Sequence, residues 1–128
     1  MRDDVLQRWA SDRAEELPGA HVEYPFGPDF EVFRVRDLMF MAHTVRTGAP
    51  IVILKARPAD AEVLREAFAE ITPGYHMNKK HWITLNPGGR LERQLVEDLV
   101  TESYLLVVEK LPRAQRPVDP ATFGQRPA

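Results

Sequence analysis

Glu31-Val32-Phe33-Arg34-Val35-Arg36, then Leu38-Met39-Phe40-Met41-Ala42-His43, then Ile51-Val52-Ile53-Leu54-Lys55 is the stretch that decides the fold. The first run alternates apolar and polar side chains, the period of a strand with one wet face. The other two are short and almost wholly apolar. Breaks at Arg36-Asp37 and at Thr47-Gly48-Ala49-Pro50 read as tight turns, so three successive strands are predicted. A strand buried on one side only should alternate more cleanly than Leu38–Ala42 or Ile51–Leu54 does. Those two strands therefore need cover on both faces, from elsewhere in the chain or from a partner.

Outward from this centre the period changes. Over residues 3–17, Val5, Leu6, Trp9, Ala10, Ala14 and Leu17 recur at helical intervals, and Pro18-Gly19 ends the run. His21–Tyr24 reads as a short first strand before the turn at Pro25–Pro28. A second helix is expected from Pro58, with Ala61, Leu64, Ala67, Phe68 and Ile71 as its stripe and Pro73-Gly74 as its stop. His81–Leu85 reads as another strand and Asn86–Gly89 as a turn. Leu91 to Leu111 reads as the longest helix, burying Leu91, Leu95, Leu99, Ser103, Leu106 and Val107. Ser103, mid-helix, is expected to bond back to its own helix. The order helix, strands, helix, strand, helix suits an α+β fold, a two-layer sandwich with an antiparallel sheet and helices packed on one side. Residues 1–111 form the expected domain, and 112–128, with four prolines in the tail, the expected mobile segment.

Composition narrows the class. A chain of 128 residues, 44% hydrophobic, can build one core without staples. With no cysteine there is no disulfide, thiolate metal site or thiol nucleophile. The opening Met1-Arg2-Asp3-Asp4 and the lack of a long apolar run point to a soluble, cytoplasmic protein.

The net charge is only −2, but its distribution is uneven. Fourteen of the nineteen acidic residues fall in the three expected helices. Residues 38–59 and 71–91 contain none, while holding Arg46, Lys55, Arg57, Lys79, Lys80 and Arg90. With the helices on one side, the opposite side should be positive, and such a local potential steers anions whatever the net charge. Helices also tolerate glutamate better than strands do, which would give the same distribution without function.

Within the second window, Tyr75-His76-Met77-Asn78-Lys79-Lys80-His81-Trp82 gathers cations, donors and aromatic surface. His76 and His81, five apart, share neither a helix face nor a strand face, and no histidine has metal-ligand spacing. Nothing resembles a nucleophile elbow or phosphate loop, so no catalytic residue, metal or cofactor is assigned and the chain is read as non-enzymatic. Trp82 is the pivotal side chain. If Ile83 and Leu85 face the helices, alternation puts Trp82 and Thr84 on the open side, where an indole beside lysines could stack a base. With the opposite phase Trp82 is a core anchor. The aromatic turn Tyr24-Pro25-Phe26 is expected to pack beneath this loop.

Tyr24-Pro25-Phe26-Gly27, Val32-Phe33-Arg34-Val35 before Met39-Phe40, Ile53-Leu54-Lys55, Gly74-Tyr75-His76-Met77-Asn78-Lys79-Lys80-His81-Trp82 and Ser103-Tyr104 occur in this order. In this order the chain resembles the MmcQ/YjbR family over residues 3–112. The resemblance implies a curved antiparallel sheet with helices, similar to secretion chaperones, and DNA as a partner; it brings no catalytic residues. Where many members carry a lysine before the Met-Phe pair, this chain has Leu38. The candidate nucleic-acid contacts are Lys55, Arg57, His76, Asn78, Lys79, Lys80, His81 and Trp82. The alternative is a protein- or peptide-binding module, or homodimer, acting through the sheet face.

Overall fold

The structure, a computed structural model, describes residues 5–124. Its elements are α1 (Val5–Glu15), β1 (Ala20–Glu23), β2 (Glu31–Val35), β3 (Leu38–Arg46), β4 (Ala49–Lys55), α2 (Pro58–Ala67), β5 (Ile71–Pro73), β6 (Trp82–Leu85) and α3 (Arg93–Val108). The strands form one antiparallel sheet in the order β1-β2-β3-β4-β6-β5. α1 and α3 pack on each other and on β4, α3 also on β3, and α2 lies by β5. The main core, from Leu6 and Phe40 to Leu85 and Tyr104, lies between these helices and the sheet.

The apolar run Leu38–Ala42 fails to alternate because of a bulge. Phe33 pairs with Met41 and Arg34 with Met39, leaving Phe40 as the extra residue in β3. Phe40 and Met41 consequently both join the helix-side core. The bulge also ends β3–β4 pairing at Met41–Leu54. In the gap beyond it, the Ser103 hydroxyl donates to the Phe40 carbonyl and accepts from the Lys55 N–H at 2.9 Å. Ser103 therefore joins two strands to α3 rather than bonding back to its own helix, as the sequence suggested.

Ile51–Leu54 lacks alternation for a different reason: both faces are covered. Val52 and Leu54 face the helices. Ile51, Ile53 and Ala42 form a second cluster on the other face, overlaid by Phe30, Met39, Tyr75, Met77 and Trp82. The chain supplies its own cover.

Other boundaries moved. β3 runs on to Arg46 and β4 starts at Ala49, so the predicted break is only the two-residue turn Thr47-Gly48, both at positive φ. α2 stops at Ala67 because Phe68 turns extended, and Ile71-Thr72-Pro73 pairs with β6 as an edge strand. Three residues are too few to show a period, and they read as a continuation of the helical stripe. On α3 the most buried positions are Val96, Val100, Ser103, Tyr104 and Leu106–Val108, while Leu95 and Leu99 are half-buried. The helix meets α1 as well as the sheet, which widens and turns its buried arc. Leu91 and Leu111 are buried just outside its ends.

The proline-rich segment, expected to be mobile, makes specific contacts as far as it is described. Arg36 Nε donates to the Gln115 carbonyl at 2.8 Å, Arg116 Nε to the Leu111 carbonyl at 2.9 Å, and Phe123 lies 6.2 Å from the Tyr104 ring. Burial pushes the Tyr104 phenol up to about 12, and its hydroxyl donates to the Pro18 carbonyl.

Candidate nucleic-acid interface

The loop between β5 and β6 crosses the open face of the sheet, and its base is tied down at three points. Gly74 N–H donates to the Trp82 carbonyl at 2.9 Å, Tyr75 N–H to Thr84 Oγ1 at 2.9 Å, and Thr84 Oγ1 to the Pro73 carbonyl at 3.0 Å. A Cβ on Gly74 would stand 2.5 Å from Trp82 Cβ, so only glycine permits this approach. The chain then turns, with Met77 N–H donating to the Gly74 carbonyl at 3.2 Å and His76 held at φ 60°. That conformation costs a non-glycine residue on the order of 1 kcal/mol. At the tip, Asn78 Oδ1 accepts from Lys80 N–H at 2.8 Å, and the side-chain amide NH2 has no acceptor among the described residues.

Ile83 and Leu85 do face the helices, so Trp82 and Thr84 lie on the open side. Trp82 is half-buried against Ile53, and Lys55 Nζ stands 5.2 Å from its ring centroid. The indole is thus already a platform for a cation. A base could stack there only where Lys55 moves aside. A second such pair lies across the face, with the Arg46 guanidinium 4.6 Å from the Tyr75 ring and His76 4.0 Å beyond it. Arg46 and Tyr75 were not among the residues assigned from sequence, although Arg46 lay in the acid-free window.

The loop exposes His76, Asn78, Lys79, Lys80 and His81 to solvent. Among the described residues, Arg46, Lys55, Lys79 and Lys80 form no ion pair. Arg57 differs: it reaches Glu102 at 3.5 Å and Glu109 at 3.6 Å, so it belongs with the carboxylates of the helical layer. Of the acidic residues assigned to helices, Asp3 and Asp4 lie outside the described residues. Tyr24 and Phe26 do not pack beneath the loop. They are 52% and 75% exposed, and Phe30 instead packs on the Ala42, Ile51 and Ile53 cluster that Tyr75 also covers.

Away from this face, His43 is 2% exposed, with Nδ1 3.5 Å from Glu31 Oε1, while Glu31 accepts from the Tyr24 hydroxyl at 2.8 Å. Burial pushes the imidazole below its ordinary range, against the pull of Glu31. No three His, Asp or Glu side chains among the described residues gather to hold a metal. No helix among them is long and apolar enough to cross a membrane.

Fold and site together define a small α+β domain whose antiparallel sheet carries helices on one face and an anchored basic loop on the other. The YjbR family model matches residues 15–106, and the chain belongs to that family. It is 40% identical over 121 residues to the uncharacterized protein YbdF of Escherichia coli O157:H7, covering 94% of this chain and 99% of that one. It is 35% identical over 83 residues to the uncharacterized protein YjbR of Escherichia coli K12, covering 65% and 70%. A crystal structure of a Deinococcus radiodurans protein with a DUF419 domain superposes with TM-score 0.74 at 33% identity, covering 82% of this chain and 80% of that one. A Pseudomonas syringae crystal structure gives 0.66 at 25% identity, covering 78% and 96%.

Proposed function

We propose that this domain binds nucleic acid weakly through the open-face loop, sensing backbone charge more than sequence. The observation that carries the reading is the gathering of Arg46, Lys55, Lys79 and Lys80 around one anchored loop, none of them in an ion pair among the described residues. Lys79 and Lys80 contact phosphates first, because both are exposed at the tip. Asn78, His76 and His81 donate to phosphate or base edges. Trp82 and Tyr75 hold Lys55 and Arg46 in place, and Arg57 is secondary because carboxylates already engage it.

Four phosphate contacts predict a slope of about −3 to −4 in log K against log salt, and affinities on the order of 10⁻⁴ to 10⁻⁶ M. The test is a low-salt titration of short duplex and single-stranded DNA with the wild type and with the Lys79→Glu, Lys80→Glu double variant. Binding by the wild type and its loss in the variant, with an unchanged melting temperature and oligomeric state, is the expected result. A wild type that shifts neither DNA form rules the reading out.

A protein or peptide partner on the sheet face is the second reading. The apolar strands that suggest it are covered by Phe30, Tyr75, Met77 and Trp82 of the same chain, which lowers its claim.

A further inference from the structure

Where β4 ends, a cleft of about 300 Å³ opens between the start of α2 and the end of α3. Its lining includes Lys55, Arg57, His81, Leu106, Glu109 and Lys110. The charges in it do not cancel. Arg57 is met by Glu102 and Glu109, at 3.5 and 3.6 Å. Lys55 and Lys110 have no carboxylate partner among the described residues, yet both line the cleft. Burial, and then the charge of Lys110, push the Lys55 ammonium below its usual range.

A lysine at a helix end is ordinary, and Lys110 alone would need no explanation. Lys55 is different, because the fold holds its backbone in place. Its N–H is bonded to Ser103, and its side chain lies over Trp82. The next residue is tied as well, with Ala56 N–H donating to the His81 carbonyl at 2.9 Å. Two like charges are thus brought to one cleft by a rigid frame. With Arg57 and its two carboxylates counted as well, one positive charge is left unmatched.

We propose that this cleft is a phosphomonoester site, with Lys55 and Lys110 sharing the phosphate and Arg57 and His81 at its edge. A phosphomonoester presents three terminal oxygens, enough to meet both ammonium groups and a further donor, whereas an internal phosphodiester presents only two. The volume lies at the lower bound of ligand pockets, roughly 300 to 1,000 Å³, which suits a headgroup and not a strand passing through. Resting on the preceding reading, the source of the group is the phosphorylated end of a nucleic-acid strand. Lys55 and His81 lie where the cleft meets the loop, so a strand held by Lys79 and Lys80 could end there. Free phosphate or a mononucleotide presents the same chemistry.

The experiment compares one short single-stranded oligonucleotide with a 5′-phosphate, a 3′-phosphate or hydroxyl ends, alongside inorganic phosphate and a nucleoside monophosphate. Binding is followed calorimetrically at low salt with the full chain and with Lys110→Gln, an exposed change whose fold is checked by thermal melting. One end-phosphate should tighten binding about tenfold, the scale of one charge-assisted contact. Lys110→Gln should abolish that gain and leave the hydroxyl-ended strand within about twofold, since it removes one contact of that kind. If strands bind but an end-phosphate adds nothing, the cleft proposal fails and the loop reading survives. If phosphate or the mononucleotide binds in a Lys110-dependent way and no strand does, the cleft stands and the strand reading falls. Binding by none of the ligands overturns both.

Discussion

His43 shows how one residue can couple the fold to pH. Its folded form favours the neutral imidazole because burial outweighs the neighbouring carboxylate. Protons therefore bind the unfolded chain more readily, so stability is full above the ordinary value of 6.5 and falls as pH drops from there through the depressed folded value. Glu31 acts in the same direction at lower pH. The His43 contact is the largest influence holding its carboxyl below 4.5, so its contribution is lost as pH falls through that lowered value. We expect His43→Leu to flatten the upper part of this decline in urea unfolding and to shrink the lower, carboxylate part, since Glu31 then keeps only the Tyr24 hydroxyl to hold its carboxyl down. Identical pH profiles for wild type and variant would refute the assignment. His43 was legible in the sequence only as an isolated histidine. Its burial comes from Phe33, 4.7 Å away across the strand pair, and from Glu31 opposite it.

Among the elements, β3 and α3 depend on each other through one hydroxyl. The Phe40 bulge leaves a carbonyl and the Lys55 N–H without strand partners, and Ser103 satisfies both. Removing it strands a buried carbonyl, costing about 1–3 kcal/mol, and a part-buried N–H, costing about 1 kcal/mol. Ser103→Ala should therefore destabilise the domain by about 2–4 kcal/mol, well beyond an ordinary small-residue change. Urea midpoints would measure it, and a loss within about 0.5 kcal/mol, typical of an uninvolved site, would show that the bridge is dispensable. The same bridge positions Lys55, so the variant should also weaken anion binding. The strand register at this point could not be read from Leu38–Ala42, because a bulge changes which side chains share a face without changing composition. β5 escaped for a related reason: its partner β6 is what makes Ile71–Pro73 a strand.

For the whole molecule, the question is whether charge segregation survives folding. It does in part. The carboxylates of α1, α2 and α3 lie in the helical layer, and the loop cations gather over the opposite face of the sheet. Arg57 crosses to the acidic side, where Glu102 and Glu109 engage it. Salt dependence is the measure that belongs at this scale. Lys79→Gln with Lys80→Gln should cut the slope of log K against log salt by about two, one for each lost phosphate contact. Lys79→Gln alone should cut it by about one. A slope unchanged by either would mean that nucleic acid is held elsewhere on the surface.

Periodicity, turn residues and the two acid-free windows by themselves determined the order of three helices and five of the six strands. They also marked the loop from Tyr75 to Trp82, because those features are local and survive without a partner segment. Only the tertiary structure decided which face Trp82 takes, that Lys55 lies over it, that Arg57 is neutralised and that Lys110 joins Lys55. Each of these rests on register or on residues far apart in the chain, and the sequence pattern carries no distance between them.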